Sequence, residues 1–404
     1  METNALQASP VEPAPPSHVA ADLRVTVAGH ELTIFVESMP MIAALIRDIQ
    51  SAQKRVWVES YIFLNDVAGS AVAEALQESA RRGLDVRVLY DAIGSQTTPW
   101  AFFRKMEGAG VQVHCFHSVW EALYRFSIFR VLNRRNHRKL LIIDDRVAYF
   151  GGMNLVAQGS AALVQPPEDV PISAGWRDVH VRLSGPQQEE LAESFDRSWC
   201  RARRLKVKRR PRLYRLGLPA EGVESIQFFD SGPGRKHTRA ARVFSQLIRR
   251  AQRRLLLSMA YFLPVGPVLG QLLRAHRRGV FIQVVLPGES DVRLVQRATR
   301  SLYRRLLRRR FHIYERQRNM LHSKVMIIDE EWSLLGSCNL DARSLYINFE
   351  FLAVIHSRNL ATALSKIVHD EIDGSRRVTL RSHAKQNWWQ RLLDRLAWSL
   401  RWWL

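Results

Sequence analysis

Short apolar runs recur along this chain, and they recur in pairs. Residues 86–89 (VRVL) and 282–286 (IQVVL) are mostly apolar stretches of strand length, each with a single polar residue at its second position. Such runs predict strands buried on both faces, with helices covering them. Each follows a stretch that closes on a glycine, Ala80-Arg81-Arg82-Gly83 and Ala275-His276-Arg277-Arg278-Gly279. A basic last turn with glycine behind it predicts a helix end. Further upstream, 55–63 (RVWVESYIF) pairs with 254–263 (RLLLSMAYFL). Each half therefore reads strand, helix, glycine-marked helix end, strand, as an α/β sandwich does. Residues 255–273 carry no charge over nearly a membrane-spanning length. Pro264, Gly266, Pro267 and Gly270 interrupt that stretch, so it reads as strand, turn and helix.

The pairing is sharpest further on. His137, Lys139 and Asp144 lie in HRKLLIID, and His322, Lys324 and Asp329 lie in HSKVMIID. Seven residues past each Asp a glycine turn follows, Gly151-Gly152-Met153-Asn154 and Gly336-Ser337-Cys338-Asn339. All five shared residue types keep one offset, so the chain is an internal repeat. The expected organisation is a disordered Pro/Ala-rich tail over 1–20, a first domain over 21–200 and a second over 223–374. Residues 201–222 join them, and 201–215 hold nine basic residues and no acidic one. That composition predicts a solvated basic linker. Residues 375–404 form a separate tail.

Charge changes the picture. Sixty Lys and Arg stand against 38 Asp and Glu, a net charge of +22. Such a surface seeks polyanions, either nucleic acid or anionic lipid. Three cysteines, Cys115, Cys200 and Cys338, are too few for a disulfide framework, and no Cys/His pair has zinc spacing. The first 20 residues lack the basic and apolar regions of a signal peptide.

On a strand, residues two apart face the same way, so His137 and Lys139 converge on one spot, as do His322 and Lys324. A lone pair of this kind is usually incidental. Two pairs at identical spacing, each followed by a glycine turn and an Asn, are not. A pseudo-twofold axis between the halves would collect two His, two Lys and two Asn, Asn154 and Asn339. No carboxylate cage for a divalent cation is present, so neither metal nor cofactor is expected. The set suits a phosphodiester, its nonbridging oxygens held by cations and amides. One imidazole can attack phosphorus and the other can move the proton. Asp144 and Asp329, five residues past each Lys, face away from it and read mainly as strand-end structural groups.

This doubled pattern, His-x-Lys-x4-Asp-x6-Gly-Gly/Ser-x-Asn, resembles the phospholipase D superfamily over about 50–355. The strings Tyr61-Ile62-Phe63, Gly175-Trp176-Arg177-Asp178, Tyr261-Phe262-Leu263-Pro264 and Asn339-Leu340-Asp341, with Asn348-Phe349-Glu350 beyond, are similar to its bacterial cardiolipin synthase branch, close to the B-type members. The resemblance implies two tandem α/β/α sandwich domains with one active site at their interface. It implies catalytic roles for His137, Lys139, Asp144, His322, Lys324 and Asp329, with His137 as nucleophile. It also implies that an acid after each Asn strand orients an imidazole, Glu350 in the second half and Asp178 in the first. An inserted loop over 156–174 separates Asp178 from its motif. The alternative for both acids is a surface carboxylate at a strand end.

The superfamily holds lipid transferases, phospholipases and nucleases, so substrate must come from elsewhere. The tail carries seven Lys/Arg, one Asp and five of the 11 tryptophans. Trp388, Trp389, Leu392, Leu396, Trp398, Leu400, Trp402 and Trp403 alternate with Arg391, Arg395 and Arg401, as in an interfacial helix on anionic lipid. The alternative is a terminal helix docked on the protein. Residues 123–135 mix apolar and arginine residues, as a lipid-facing rim or a core helix with a basic face. Residues 293–310 hold eight arginines, as a solvated face or an anion-seeking one. The expected reaction is phosphatidyl transfer to phosphatidylglycerol, with phosphatidylglycerol or phosphatidylethanolamine as donor, on the cytoplasmic face of a bacterial inner membrane. Phospholipase D hydrolysis or another phosphatidyl transfer is the alternative. A nucleic-acid phosphodiesterase fits the charge but not the tail, since stacking platforms are not amphipathic termini. A scaffold with a dead site fits poorly with two complete motifs.

Overall fold

The computed structural model describes residues 23–117, 133–157, 176–186, 188–205, 222–234, 238–317, 319–384 and 386–403. The expected tail at 1–20, nearly all of the 156–174 loop, most of the basic linker and most of the rim segment 123–135 lie outside the described residues. The first half contains β1 (Leu23–Val27), β2 (His30–Phe35), α1 (Ser38–Ser51), β3 (Arg55–Ser60), α2 (Val67–Arg81), β4 (Asp85–Asp91), α3 (Trp100–Gly108), β5 (Gln112–Phe116), β6 (Leu140–Ile143), β7 (Val147–Gly151), β8 (His180–Ser184) and α4 (Gln188–Ala202). The second contains β9 (Ser225–Ser231), α5 (Arg239–Arg250), β10 (Arg254–Met259), α6 (Gly266–Arg277), β11 (Phe281–Pro287), α7 (Arg293–Leu307), β12 (His312–Arg316), β13 (Lys324–Ile328), β14 (Trp332–Gly336), α8 (Ala342–Tyr346), β15 (Glu350–His356), α9 (Arg358–Asp373), β16 (Ser375–Val378), α10 (Leu380–Ala384) and α11 (Trp388–Ser399).

Two eight-stranded sheets result, ordered β1-β2-β8-β7-β6-β3-β4-β5 and β16-β12-β11-β10-β13-β14-β15-β9. Read from its β9 end, the second repeats the first from β2 onward. In each, three parallel strands (β3-β4-β5, β10-β11-β12) are joined by helical crossovers, and the motif strand enters antiparallel beside β3 or β10. Gly83 and Gly279 end α2 and α6 at φ +86° and +89°, a conformation that costs glycine nothing. Residues 255–273 are strand, loop and helix. Among the described residues no helix is long and apolar enough to cross a membrane.

The apolar runs are explained by three cores. Helices α1–α3 cover one face of the first sheet, and α5–α7 cover one face of the second. Between the sheets lie α4, α9 and both inner faces, as one continuous apolar cluster. Each motif strand divides two cores. Leu140 and Ile142 face the shared middle, while Leu141 and Ile143 face outward. Val325 and Ile327 face the middle, while Met326 and Ile328 face outward. Period-two alternation with both sides apolar produces an unbroken hydrophobic run.

Two boundaries shift. Helix α4 continues to Ala202, two residues into the expected linker. The tail does not begin at 375, because β16 pairs antiparallel with β12 as an edge of the second sheet. Beyond it, α11 docks on α7, with Ala397 buried in the outer core and Asp394 within 3.8 Å of Arg297.

Phe351 of β15 lies in the middle layer, its ring 5.9 Å from Phe150 of the other half and 5.7 Å from Phe228. Truncating Phe351→Ala should cost about 3–5 kcal/mol. Urea unfolding followed by fluorescence and circular dichroism should still show one transition for both halves, because they share this core.

Candidate active site

The motif strands bring their leading residues to the line where the halves meet. The chain entering β6 pairs with the chain entering β15: Asn136 bridges Phe349, and His137 N donates to Phe349 O at 2.9 Å. The symmetric contact joins Arg177 to Leu321, with His322 N donating to Arg177 O at 2.7 Å. Each histidine is thus laid beside the acid-bearing segment of the opposite half.

The side chains cross over accordingly. His137 Nδ1 donates to Glu350 Oε2 at 3.1 Å, and His322 Nδ1 donates to Asp178 Oδ2 at 2.7 Å. All four side chains are almost wholly buried. A carboxylate on Nδ1 fixes the ring tautomer and leaves Nε2 with a free lone pair. Lys324 Nζ lies 2.7 Å from the same His322 nitrogen and 3.3 Å from Asp178, so ammonium, imidazole and carboxylate form one cluster. It also donates to His322 O, as Lys139 Nζ does to His137 O at 2.8 Å.

The site carries more positive charge than its burial favours. Burial, with Lys324 beside it, brings the Lys139 ammonium down to about 7. Lys324 is lowered as well, chiefly by burial. Burial and Lys139 lower His137, and Lys324 adds to the effect across the interface. Burial and Lys324 bring His322 down to about 4. Burial works to raise Asp178, but Lys324 and His322 outweigh it and hold the carboxyl below its usual range. An entering phosphodiester anion would relieve this excess and raise the cationic groups again.

Asn154 and Asn339 sit at the same place in each half. Asn154 Oδ1 accepts from Ile62 N at 3.2 Å, and among the described residues its NH2 donates to no acceptor. Asn339 is buried, with its amide oxygen unpartnered among the described residues.

Asp144 and Asp329 lie at the far ends of β6 and β13, away from the histidines. Both adopt the left-handed region, at φ +52° and +53°. Asp144 accepts from the backbone N–H groups of Gln53, Lys54 and Arg55, and Asp329 from those of Gln252, Arg253 and Arg254. Those bonds tie each motif strand to the start of its neighbour. Their place in the motif is thus one of register, and the catalytic role that the resemblance implies for Asp144 and Asp329 is corrected by the geometry.

Several neighbours were not singled out as site residues. Ser337 donates to Glu350 Oε2 at 2.5 Å. Its first-half equivalent is Gly152, where a Cβ would stand 2.1 Å from Asp178 Oδ1. Asp178 therefore fills the volume that Ser337 occupies opposite, and this mismatch in the repeat was the available signal. Trp176 lies 4.7 Å from His322 and Tyr61 lies 5.0 Å from His137, ring to ring. Behind His137, Arg135 pairs with Asp91, and Asn136 Nδ2 donates to Glu59 Oε1 at 2.8 Å. Among the described residues, no three His, Cys, Asp or Glu are grouped to hold a metal ion.

The sequence profile described as "Cardiolipin synthase, PLD-like domain" matches residues 45–164 and 244–371. Cardiolipin synthase A of Pseudomonas putida GB-1 is 30% identical over 371 residues, covering 92% of this chain and 74% of its own. Cardiolipin synthase A of Erwinia tasmaniensis is 32% identical over 385 residues, covering 92% and 75%. Both names carry the type letter A. The crystal structure of phosphatidylserine synthase from Haemophilus influenzae is similar in fold, with a TM-score of 0.68 at 14% identity, covering 94% of each chain.

If the crossed pairs act as one unit, His137→Ala and His322→Ala should each abolish turnover, and the double variant should be little worse than either. Asp178→Asn and Glu350→Gln should each lower kcat about 10²- to 10⁴-fold. Additive losses in the histidine pair would contradict a shared site. The pH profile of kcat/KM should have its acid limb below about 6.5, the ordinary histidine value, because His137 stays neutral there. On the alkaline side it should decline from about pH 7 as the free enzyme's Lys139 loses its proton.

Proposed function

The chain belongs to the phospholipase D-like family described as cardiolipin synthases, and from that premise we propose that it is a phosphatidyltransferase that makes cardiolipin. The observation that carries the reading is the crossed pair of imidazole–carboxylate hydrogen bonds, one from each half, around two buried lysines. The substrates are phospholipids. More finely, the donor is phosphatidylglycerol or phosphatidylethanolamine and the acceptor is phosphatidylglycerol.

His137 Nε2 attacks the donor phosphorus. The bond from phosphorus to the headgroup oxygen breaks, and that oxygen leaves with its electron pair and takes a proton from His322. Lys139, Lys324, Asn154 and Asn339 hold the nonbridging oxygens. His322 is neutral in the empty site; the bound phosphate, by offsetting the lysine charges, allows it to carry the proton it donates. The phosphatidyl group then resides on His137. An acceptor hydroxyl gives its proton to His322 as its oxygen bonds to phosphorus and the P–N bond breaks. Bond energy passes through the phosphohistidine, so no nucleotide is required. Water in the acceptor's place gives phospholipase D hydrolysis.

The C-terminal segment supports a membrane surface as the working place. Trp388 and Trp389 stack at 3.9 Å and stay exposed, as do Leu393, Leu396, Trp402 and Trp403. Helix α11 uses Asp394 and Ala397 for docking and turns this apolar face outward beside the arginines of α7. Docking and lipid contact thus use different faces. Arg343 donates to Trp403 O at 3.4 Å and to Asn133 O at 3.2 Å, which places the segment's end beside the chain leading to His137. We assign the protein to the cytoplasmic face of the bacterial inner membrane, held peripherally.

The test is incubation with phosphatidylglycerol and phosphatidylethanolamine vesicles, chelator present, followed by lipid mass spectrometry. Cardiolipin should form, and His137→Ala should form none. Phosphatidic acid alone would point to hydrolysis; no lipid product would overturn the reading. Replacing Trp388, Trp389, Trp402 and Trp403 by Ser should weaken vesicle binding and slow turnover on bilayers, while a short-chain soluble substrate is still turned over.

A further inference from the structure

The phosphoryl chemistry above leaves one polar pair at the site unused. Tyr261 Oη donates to Asp291 Oδ2 at 2.7 Å, and Ser290 Oγ donates to Asp291 Oδ1 at 3.2 Å. Asp291 is only half-buried, in the turn after β11. The Tyr261 ring stands edge-on to His322, 6.5 Å between centroids. The negative charge of Asp291 is felt by His322 and by Lys324, working to raise both against the larger effect of burial. A carboxylate with spare acceptor capacity therefore stands on the His322 side of the cleft.

Among the described residues the first half shows no such pair. Backbone pairing matches Tyr261 with Ile62, which has no hydroxyl. The tyrosine beside His137 is Tyr61, and among the described residues no hydrogen bond joins its hydroxyl to a carboxylate, although Asp91 and Glu350 lie near enough to act on it. The acid on that side is Asp91, the last residue of β4, and it is fully buried. Arg135 pairs with it, Ile93 N and Gly94 N donate to its Oδ1, and Asn136 N donates to its Oδ2. The repeat thus departs from its symmetry at one flank of the site. A carboxylate near a phosphate site repels the phosphate. What it attracts is a hydrogen-bond donor carried by the same substrate. Attack at phosphorus places nucleophile and leaving oxygen roughly in line. With His137 on one side, the headgroup lies on the side of His322, where Tyr261 and Asp291 stand.

We propose that Tyr261 and Asp291 form a headgroup subsite that binds the free hydroxyls of a glycerol headgroup. The inference rests on the transfer reading and deepens it. The neighbouring hydroxyl of the glycerol donates to Asp291, which turns the terminal hydroxyl toward phosphorus. That oxygen then bonds to phosphorus, the bond to His137 Nε2 breaks, and the proton passes to His322. The same subsite holds the departing glycerol when phosphatidylglycerol is the donor.

Partition of the phosphohistidine between competing alcohols tests this without interference from the donor step. The full-length protein is given phosphatidylglycerol vesicles with deuterated glycerol, ethanol and ethanolamine together, and the products are read by mass spectrometry. Asp291→Asn should lower the ratio of deuterated phosphatidylglycerol to phosphatidylethanol about 10- to 100-fold, the range for losing a hydrogen bond to a charged group. Tyr261→Phe, which keeps the ring in place, should lower the same ratio to a smaller extent. An unchanged ratio in both variants overturns the subsite. So does an equal loss of every product, since Asp291 would then act only through His322. A loss larger for ethanolamine than for glycerol overturns the glycerol assignment in favour of an ammonium headgroup. The transfer reading itself fails separately, if the unaltered protein makes no product with any alcohol.

Discussion

The hydrogen bond that crosses the pseudo-twofold axis is the constraint on which the rest of this structure depends. Among the described residues, neither half completes the imidazole–carboxylate pair of its own motif histidine. Glu350 belongs to the second half and orients His137; Asp178 belongs to the first and orients His322. The backbone repeats the exchange, through the bridges of Asn136 to Phe349 and Arg177 to Leu321. Ring orientation therefore depends on how the two sheets meet. That placement comes from the shared apolar layer of α4, α9 and both inner sheet faces. Interiors packed at this density deform little, so the layer holds the two rings in register.

The electrostatics follow from the same burial. Two ammonium groups and two imidazoles share a desolvated cleft with two carboxylates. Burial, Lys139 and Lys324 all disfavour the charged forms of the cations. Asp178 is shared between the His322 ring and Lys324, while Glu350 orients His137. A phosphodiester monoanion adds negative charge beside the buried lysines, which favours the charged forms of the cations, and can accept hydrogen bonds at its nonbridging oxygens. The arrangement thus makes binding of the anion and protonation of His322 one coupled event.

Duplication created a symmetric frame on which local differences stand out. Ser337 faces Glu350 where Gly152 makes room for Asp178. Asp91, which closes β4, is sealed by Arg135, while β11 ends on Pro287 and the half-buried Asp291 follows in the turn beyond. One half carries the extra edge strand β1 and the other β16, at opposite ends of their sheets. Symmetry suits the phosphoryl group, which presents similar oxygens to both halves. The two substituents of the phosphorus are not alike, and the flanks of the site diverge accordingly.

The repeat, its strands and its chemistry were legible in the amino-acid sequence because they depend on local spacing. Apolar runs of strand length, glycines at helix ends and the doubled His-x-Lys pattern are short-range signals. The same spacing put Asp144 and Asp329 apart from the lysines, as backbone hydrogen bonds at the strand ends later explained. Glu350 and Asp178 were legible as orienting acids only by resemblance, and the spacing could not say which ring each would meet. That crossing is a contact between residues 213 positions apart for His137 and 144 apart for His322. The edge strand β16 was missed because RR within Ser375–Val378 looks like a basic tail. An edge strand needs only a neighbour's backbone groups, so its side chains carry little signal. The tail helix, read as lipid-facing or docked, presents two faces, and only packing against α7 showed which residues each uses. Local pattern determined the elements and the reacting groups; tertiary structure decided which groups meet, because partners far apart in sequence are chosen by packing and not by spacing.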